Sequence, residues 1–496
     1  MTDVQLAATD QTPAVLAIGI GESGPLLDGI STRVLPLAVR ATLESFVRES
    51  EPPAKPGEVR ELPLPGQLPT RVLVAGVGVA SVADLRLAGA AIGRAARTES
   101  LAVALPDVEG DELAALVEGA VLGRYRYEVK SEPHALGTVS LVDVGDAVAV
   151  ERGLAYGRGA VWARDLANTR TSTKTPSWLA EQADRELTPL GVRVVTRDVQ
   201  WLAERGFGGV LAVGASSASP PCLVEATWRP QGVAGGTRPR DATAGARPHD
   251  ATTGQHLVIV GKGITFDTGG YNLKPGESMK WMYTDMAGGA AALGALRVLA
   301  ALRVPVRVTV LVPLAENAVS GSAMRPGDVV RHYGGRTTEI RNTDAEGRIV
   351  LADALAYAAA RLRPTALVDI ATLTGGVKIA LGTGTAGYFA TSDDLAAELD
   401  RAAQATGEPL WRLPFLDEHE SQLDSDIADA NNSSGNPQAI TAAMFLRPFA
   451  GSARWAHVDI AGTARAASDG GLAAKGATGF GARLLASWAE SHAARG

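Results

Sequence analysis

Cysteine is all but missing from this chain. Cys222 is the only one in 496 residues, which excludes an intramolecular disulfide and any cysteine-rich zinc site. Long apolar runs are missing as well: no stretch approaches the roughly 20 apolar residues that a membrane-spanning helix needs. The N-terminus, Met1-Thr-Asp-Val-Gln-Leu-Ala-Ala-Thr-Asp10, carries acidic residues where a secretory signal carries basic ones, and no continuous apolar h-region follows it. There is no basic excess either. A net charge of -7 and a pI near 5.6 argue against a surface built chiefly for nucleic acid or anionic membrane. These absences point to a cytoplasmic protein. With 46% hydrophobic and 20% charged residues, the composition is that of a soluble globular chain, long enough for about two to four domains.

The fold class read from the pattern is α/β, with an N-terminal α/β domain and a larger C-terminal α/β domain. Residues 1–150 alternate short apolar runs with Ala/Leu-rich helical patterns. Arg71 to Gly78 precedes the helical Ala83 to Ile92, and Leu101 to Leu105 precedes Glu112 to Leu122. Gly76-Val-Gly78 lacks the third glycine and the ribose-binding acid of a dinucleotide loop, so it reads as a plain strand-to-helix turn. A helical pattern from Ala147 to Leu166 suggests a linking helix over 151–167. The second domain then spans 168–496, with Pro176 opening a helix. Its strand candidates are Val210–Val213, Leu257–Val260, Val306–Val312 and Ala366–Ile370, whose apolar runs predict a mostly parallel central sheet covered by helices on both faces. Helical stretches lie at Gly288–Leu302 and Ile349–Leu362, the latter stopped by Pro364. From 231 to 255 the chain turns to Gly, Ala, Thr, Pro and Arg, and Arg238-Pro-Arg-Asp-Ala-Thr-Ala-Gly245 nearly repeats as Arg247-Pro-His-Asp-Ala-Thr-Thr-Gly254. That reads as a tandem duplication in a mobile surface loop.

The chemistry concentrates in Asn342-Thr-Asp-Ala-Glu-Gly-Arg348. Asp344 and Glu346 occupy alternate positions, so their oxygens can converge on one face, and Gly347 leaves room for close approach. An isolated Asp-x-Glu is usually a solvated loop. A second segment makes a metal site the stronger reading: Lys262-Gly-Ile-Thr-Phe-Asp267-Thr-Gly-Gly270, then Leu273-Lys274-Pro275-Gly276, then Met282-Tyr-Thr-Asp285-Met-Ala-Gly-Gly289. Asp267, Asp285, Asp344 and Glu346 make an oxygen-rich set with no histidine or cysteine pair near them, which suits Mn, Mg or Zn. Two such ions about 3.5–4 Å apart can polarise a carbonyl and activate a shared water. Lys262 as a phosphate-gripping lysine is the weaker reading, because Asp267 would repel phosphate and no Gly-Lys-Ser/Thr follows.

These segments resemble the cytosolic leucine aminopeptidase family, from about Asn168 to Leu485. Further matches are Asp424-Ser-Asp-Ile-Ala-Asp429, Ala439-Ile-Thr-Ala-Ala443, His457-Val-Asp-Ile-Ala-Gly462 and Thr478-Gly-Phe-Gly481. The N-terminal half carries no diagnostic motif. The resemblance implies two divalent ions per subunit, manganese or zinc. In this reading Asp267 and Glu346 bridge them, Asp344 completes one site, and Asp285 with a deprotonated Lys262 completes the other. It implies Lys274 as the electrophile for the developing oxyanion, and Arg348 as the residue that positions bicarbonate, the general base. Met282 would line the pocket for the first side chain, although it could equally be core filler. Thr372, Leu373 and Gly375 would contact the substrate backbone. The implied activity is removal of apolar N-terminal residues such as leucine from peptides by a homohexamer.

The chain departs from the family pattern at Tyr271-Asn272, where Ile-Ser is usual, at Cys222, where an arginine often stands, and at Arg170-Thr-Ser-Thr173, which replaces a Pro-rich turn. Asn272, so near Lys274, is a candidate for altering substrate preference. His457 and His332 read as structural histidines and not general bases, and Cys222 has no partner that would make it a nucleophile. Competing functions are a narrow dipeptidase, for instance on cysteinyl-glycine, a dedicated pathway hydrolase, and an aminopeptidase with an added DNA-binding role, which the acidic balance disfavours.

Overall fold

The computed structural model describes residues 4–6, 12–21, 24–49, 55–105, 107–132, 134–135, 137–142, 144–230, 254–433 and 435–493. The duplicated segment expected to be mobile lies outside the described residues, except for 254 and 255. The chain folds as two compact α/β units. The smaller takes in 1–168 with 404–407 and 464–483, and the larger takes in 169–403, 408–463 and 484–496.

The smaller unit is a mixed sheet in the order Val4–Leu6, Val139–Val142, Leu101–Ala104, Val15–Gly21, Arg71–Gly78, Val59–Pro63. It is parallel except at Val59–Pro63 and the short Gly24–Pro25. Gly78 ends its strand, and a capping box between Ser81 and Asp84 starts the helix Val82–Ala95, so the Gly76–Gly78 segment is a plain strand-to-helix turn. That helix crosses Gly110–Arg124 at very close range. A Cβ on Gly119 would lie 2.0 Å from the Arg86 carbonyl oxygen, so only glycine permits the approach. The helix Ala147–Asn168 is one unbroken element and groups with this unit.

In the larger unit the sheet runs Leu410–Arg412, Ala386–Ala390, Trp455–Asp459, Ala366–Ala371, His256–Gly261, Arg307–Asn317, Cys222–Trp228, Arg193–Arg197, with Gly263–Asp267 also paired to Arg307–Asn317. The four central strands from Trp455–Asp459 to Arg307–Asn317 are parallel, while Cys222–Trp228 and Ala386–Ala390 join them antiparallel. Alternation sorts the faces. Val258, Val260 and Leu311 pack with Ile349, Val350 and Leu351 of the helix Glu346–Tyr357, and on the other side Val312 approaches Gly289 in the helix Ala287–Ala301. Both faces are thus covered, as the continuous apolar runs require. The central strands all carry their carboxyl ends to one edge, the usual place for a site in an open α/β sheet.

One expectation is overturned: Val210–Val213 is not a strand but lies within the helix Gly208–Gly214. Phe207, Val210 and Val213 are all fully buried in the core, and that spacing of three is helical. A four-residue apolar run is too short for its period to be read. The helix predicted over Ile349–Leu362 is α-helical only to Tyr357. It widens to a π turn over Ala358–Leu362 and ends on Arg363 at φ 48°, just before Pro364.

Candidate metal centre

Lys262 follows the strand His256–Gly261, and its backbone N–H continues the sheet by donating to the Ile370 carbonyl at 3.0 Å. The residue is 3% exposed. The Nζ lies 2.8 Å from Asp285 Oδ2 and 2.8 Å from Glu346 Oε1, and it donates to the Thr372 carbonyl at 3.0 Å. Gly347 makes this approach possible. A Cβ there would come within 2.6 Å of Lys262 Cε, so the glycine after Glu346 is a steric requirement.

Asp267 ends the strand Gly263–Asp267. A tight turn follows, with Gly269 and Gly270 at φ 87° and 60°, and it folds Lys274 back until its N–H reaches the Thr268 carbonyl at 2.9 Å. Lys274 Nζ thereby lies 2.8 Å from Asp267 Oδ2 and also pairs with Asp344 Oδ1. Asp285 comes from the turn Met282–Thr284 and accepts the Thr372 hydroxyl at 2.7 Å. Asp344 is fixed by its N–H bond to Asn342 Oδ1 at 2.8 Å. Glu346 opens the helix Glu346–Tyr357, where the positive end of the helix dipole favours a carboxylate.

Oxygens of Asp267, Asp344 and Glu346 lie within 4.8 Å of one another, and Lys262 ties Asp285 to Glu346. The electrostatics follow from burial. Desolvation raises the Asp267 carboxyl to about 6, helped by Glu346, and raises Asp285 to about 8 despite the neighbouring Lys262. Burial and Glu346 also lift Asp344. Burial pushes Glu346 the same way, yet Lys262 and Lys274 together hold it below the ordinary value. For both lysines burial opposes charge, but Asp285 and Glu346 around Lys262, and Asp267 and Glu346 around Lys274, more than offset it and raise them. Burial draws Arg348 down to about 10.

This donor set suits cations. The four carboxylates cluster around two ammonium groups, Lys262 and Lys274, and Glu346 Oε2 is buried without a hydrogen-bond partner. Buried carboxylates in this state gain from a hard or borderline dication.

The remaining expected residues are placed as follows. Arg348 is 4% exposed, its guanidinium 5.9 Å from the Phe445 ring centre. It lines a small polar cavity with Asp344, Glu346, Leu373, Asn432 and Gln438. Thr372 touches Asp285 and Lys262 directly. Met282 is half-buried in the turn that carries Asp285, and Gly375 is exposed at the start of the helix Gly375–Leu381. Asn272 does not face the pocket through its amide: its Oδ1 accepts from the Thr343 N–H at 2.9 Å. His457 and His332 are buried against Asp369 and Asp353, at 2.6 Å and 3.1 Å. The Cys222 thiol is pushed up to about 12 by burial, which removes nucleophilic character. Sequence reasoning passed over two asparagines. Asn432 accepts the N–H groups of Arg341 and Asn342 at 2.8 and 3.1 Å, and Asn317 donates to Asp267 at 2.8 Å. The strand read from the sequence stopped at Val312, short of Asn317, where the structure ends it.

Residues 161–486 match the model of the cytosol aminopeptidase family catalytic domain, and residues 17–133 match that family's N-terminal domain. A probable cytosol aminopeptidase of Syntrophotalea carbinolica is 39% identical over 93% of each chain, and one of Roseiflexus castenholzii is 41% identical over 85% of this chain and 87% of its own. Among solved structures, the bottromycin maturation enzyme BotP in complex with Mn superposes with a TM-score of 0.81 at 35% identity, covering 97% of this chain and 99% of that one. A mutant of tomato leucine aminopeptidase gives 0.81 at 29% identity, over 99% and 97%.

Proposed function

Because this chain belongs to the cytosol aminopeptidase family and is thereby a metal-dependent aminopeptidase, we propose that it removes apolar N-terminal residues such as leucine from peptides at a centre of two divalent ions. Lys262, Asp267, Asp285, Asp344 and Glu346 would hold the ions, manganese or zinc, in this reading. The observation that carries it is the convergence of Asp267, Asp344 and Glu346 oxygens within 4.8 Å, with Lys262 spanning Asp285 and Glu346. When bound, such a pair polarises a carbonyl and acidifies water.

The chain's own residues do the rest. Lys274, released from Asp267 and Asp344 once cations balance those carboxylates, donates to the oxygen on which negative charge develops at the scissile carbonyl. Thr372, Leu373 and Gly375 follow the strand Ala366–Ala371 and align the substrate backbone, while Met282, beside Asp285, borders the first side chain. Alignment of the free amine and the carbonyl makes attack effectively intramolecular, and an internal peptide bond lacks that amine. Two dications would balance the four carboxylates, so Lys274 and Arg348 leave the pocket positive. On the family resemblance, Arg348 would hold a small anion, bicarbonate, as proton acceptor, and the positive pocket favours such an anion. Cytoplasmic location and a homohexamer belong to the same proposal. Among the described residues no helix is long and apolar enough to cross a membrane.

Replacement of Glu346 by alanine should abolish hydrolysis of leucine p-nitroanilide while circular dichroism stays unchanged; a fully active Glu346→Ala protein would remove the ligand assignment. The similarity to BotP over nearly the whole chain supports a second reading, a hydrolase dedicated to one peptide of a biosynthetic pathway. A dipeptide and aminoacyl-anilide panel separates them: activity spread over apolar first residues favours the general enzyme, and turnover confined to one or two sequences favours the dedicated one.

A further inference from the structure

The strand Arg307–Asn317 ends on a side chain that plays no part in the reaction outlined above. Asn317 is 1% exposed. The pairing of Gly263–Asp267 with this strand slips register between Ile264 and Asp267, and the slip sets Asp267 opposite Asn317. Asn317 Nδ2 donates to Asp267 Oδ1 at 2.8 Å and to the Thr343 carbonyl at 3.0 Å. Its backbone carbonyl accepts the N–H of Thr268 at 2.9 Å and the Thr268 hydroxyl at 3.0 Å. A flipped amide would point its oxygen at a carboxylate and a carbonyl, so the orientation is fixed by the network.

Asp267 Oδ1 also accepts the Gly269 N–H at 2.8 Å. Two donors occupy both lone pairs of that oxygen, and Oδ2 is left facing Lys274. The Thr343 carbonyl, meanwhile, immediately precedes Asp344. One amide therefore grips two of the three segments that present carboxylates to the centre, those of Asp267 and Asp344.

We propose that Asn317 is a positioning residue of the metal centre: by saturating Asp267 Oδ1 and tethering Thr343, it restricts Asp267 to offering cations Oδ2 alone and sets the spacing of Asp267 from Asp344. The inference rests on the reading of these carboxylates as metal ligands. Outer-shell donors of this kind govern metal affinity by about 10–100-fold.

The test is Mn²⁺ affinity of the chelator-stripped full chain, followed by the electron paramagnetic resonance signal of free Mn²⁺. Asn317→Leu keeps the side-chain shape and deletes both donors. It should bind Mn²⁺ about 10–100-fold more weakly than the parent, whereas a residue that merely fills space would leave affinity unchanged, which overturns the proposal. Glu346→Ala in the same titration separates the two layers. If it too binds Mn²⁺ like the parent, the ligand assignment itself fails; if only Asn317→Leu does, the ligands stand and Asn317 has no positioning role. Should Asn317→Leu not fold, a Mn²⁺-loaded crystal of the parent decides. Asp267 Oδ1 still bonded to Asn317 and Gly269, with metal on Oδ2 only, is the expected result, and a metal bond to Oδ1 is the contrary one.

Discussion

Loading the centre with metal should expel protons, and the number follows from the geometry. In the metal-free chain Lys262 Nζ sits 2.8 Å from carboxylate oxygens of both Asp285 and Glu346 and is an ammonium, raised above the ordinary lysine value of about 10.4. An amine binds a cation only through its lone pair, so Lys262 must surrender one whole proton at neutral pH. Asp285, raised to about 8 chiefly by burial and then by Glu346 and Asp267, adds a large fraction of another. About one to two protons should leave per chain at pH 7, which makes Mn²⁺ affinity fall about 10–100-fold, or about 1.4–2.8 kcal/mol, for each unit of acidification. Isothermal titration in buffers of different ionisation enthalpy counts the protons directly, and Lys262→Met should release about one fewer. Zero net release at pH 7, with affinity flat from pH 6.5 to 8, would refute Lys262 as a ligand.

Lys274→Ala should lower kcat about 10²–10³-fold with a smaller change in KM, the effect of deleting one oxyanion donor; steady-state kinetics on leucine p-nitroanilide checks it. His256 is buried with Nε2 2.9 Å from the Thr309 hydroxyl and Nδ1 3.2 Å from the Leu362 carbonyl, and burial, reinforced by Arg307, depresses it to about 3. A depressed histidine contributes stability that is present above the unfolded value of about 6.5 and lost as pH falls toward 3, so urea unfolding should show about 1–2 kcal/mol of loss by pH 5 that His256→Gln lacks. Asp369 accepts from His457 Nδ1 at 2.6 Å and Trp455 Nε1 at 2.7 Å. Asp369→Ala should cost about 3–5 kcal/mol of stability yet leave activity per folded molecule within a few-fold, and a collapse of kcat in stable protein would instead place His457 in the reaction.

The carboxylates were legible because each sits in a short, glycine-marked segment whose local chemistry is unusual: Asp267 before Gly269-Gly270, and Glu346 before Gly347. The central strands were legible from their unbroken apolar runs, as at Leu257–Val260 and Ala366–Ile370. What escaped depends on distance along the chain. Asn317 meets Asp267 fifty positions away and Asn432 meets Asn342 ninety away, and neither pairing leaves a local trace. Residues 464–483 belong to the smaller unit although they lie near the far end of the sequence, an association set by tertiary contacts alone. The misread Val210–Val213 marks the opposite limit, a local pattern too short to carry its own period.

In the proposed function, five side chains hold two ions that the reaction needs. Titration of the chelator-stripped chain with Mn²⁺, following both bound metal and release of p-nitroaniline from leucine p-nitroanilide, tests it most directly. Activity should be absent without metal and reach its plateau at about two ions per chain; full activity in stripped protein, or a plateau at a single ion, would rule out the two-ion centre.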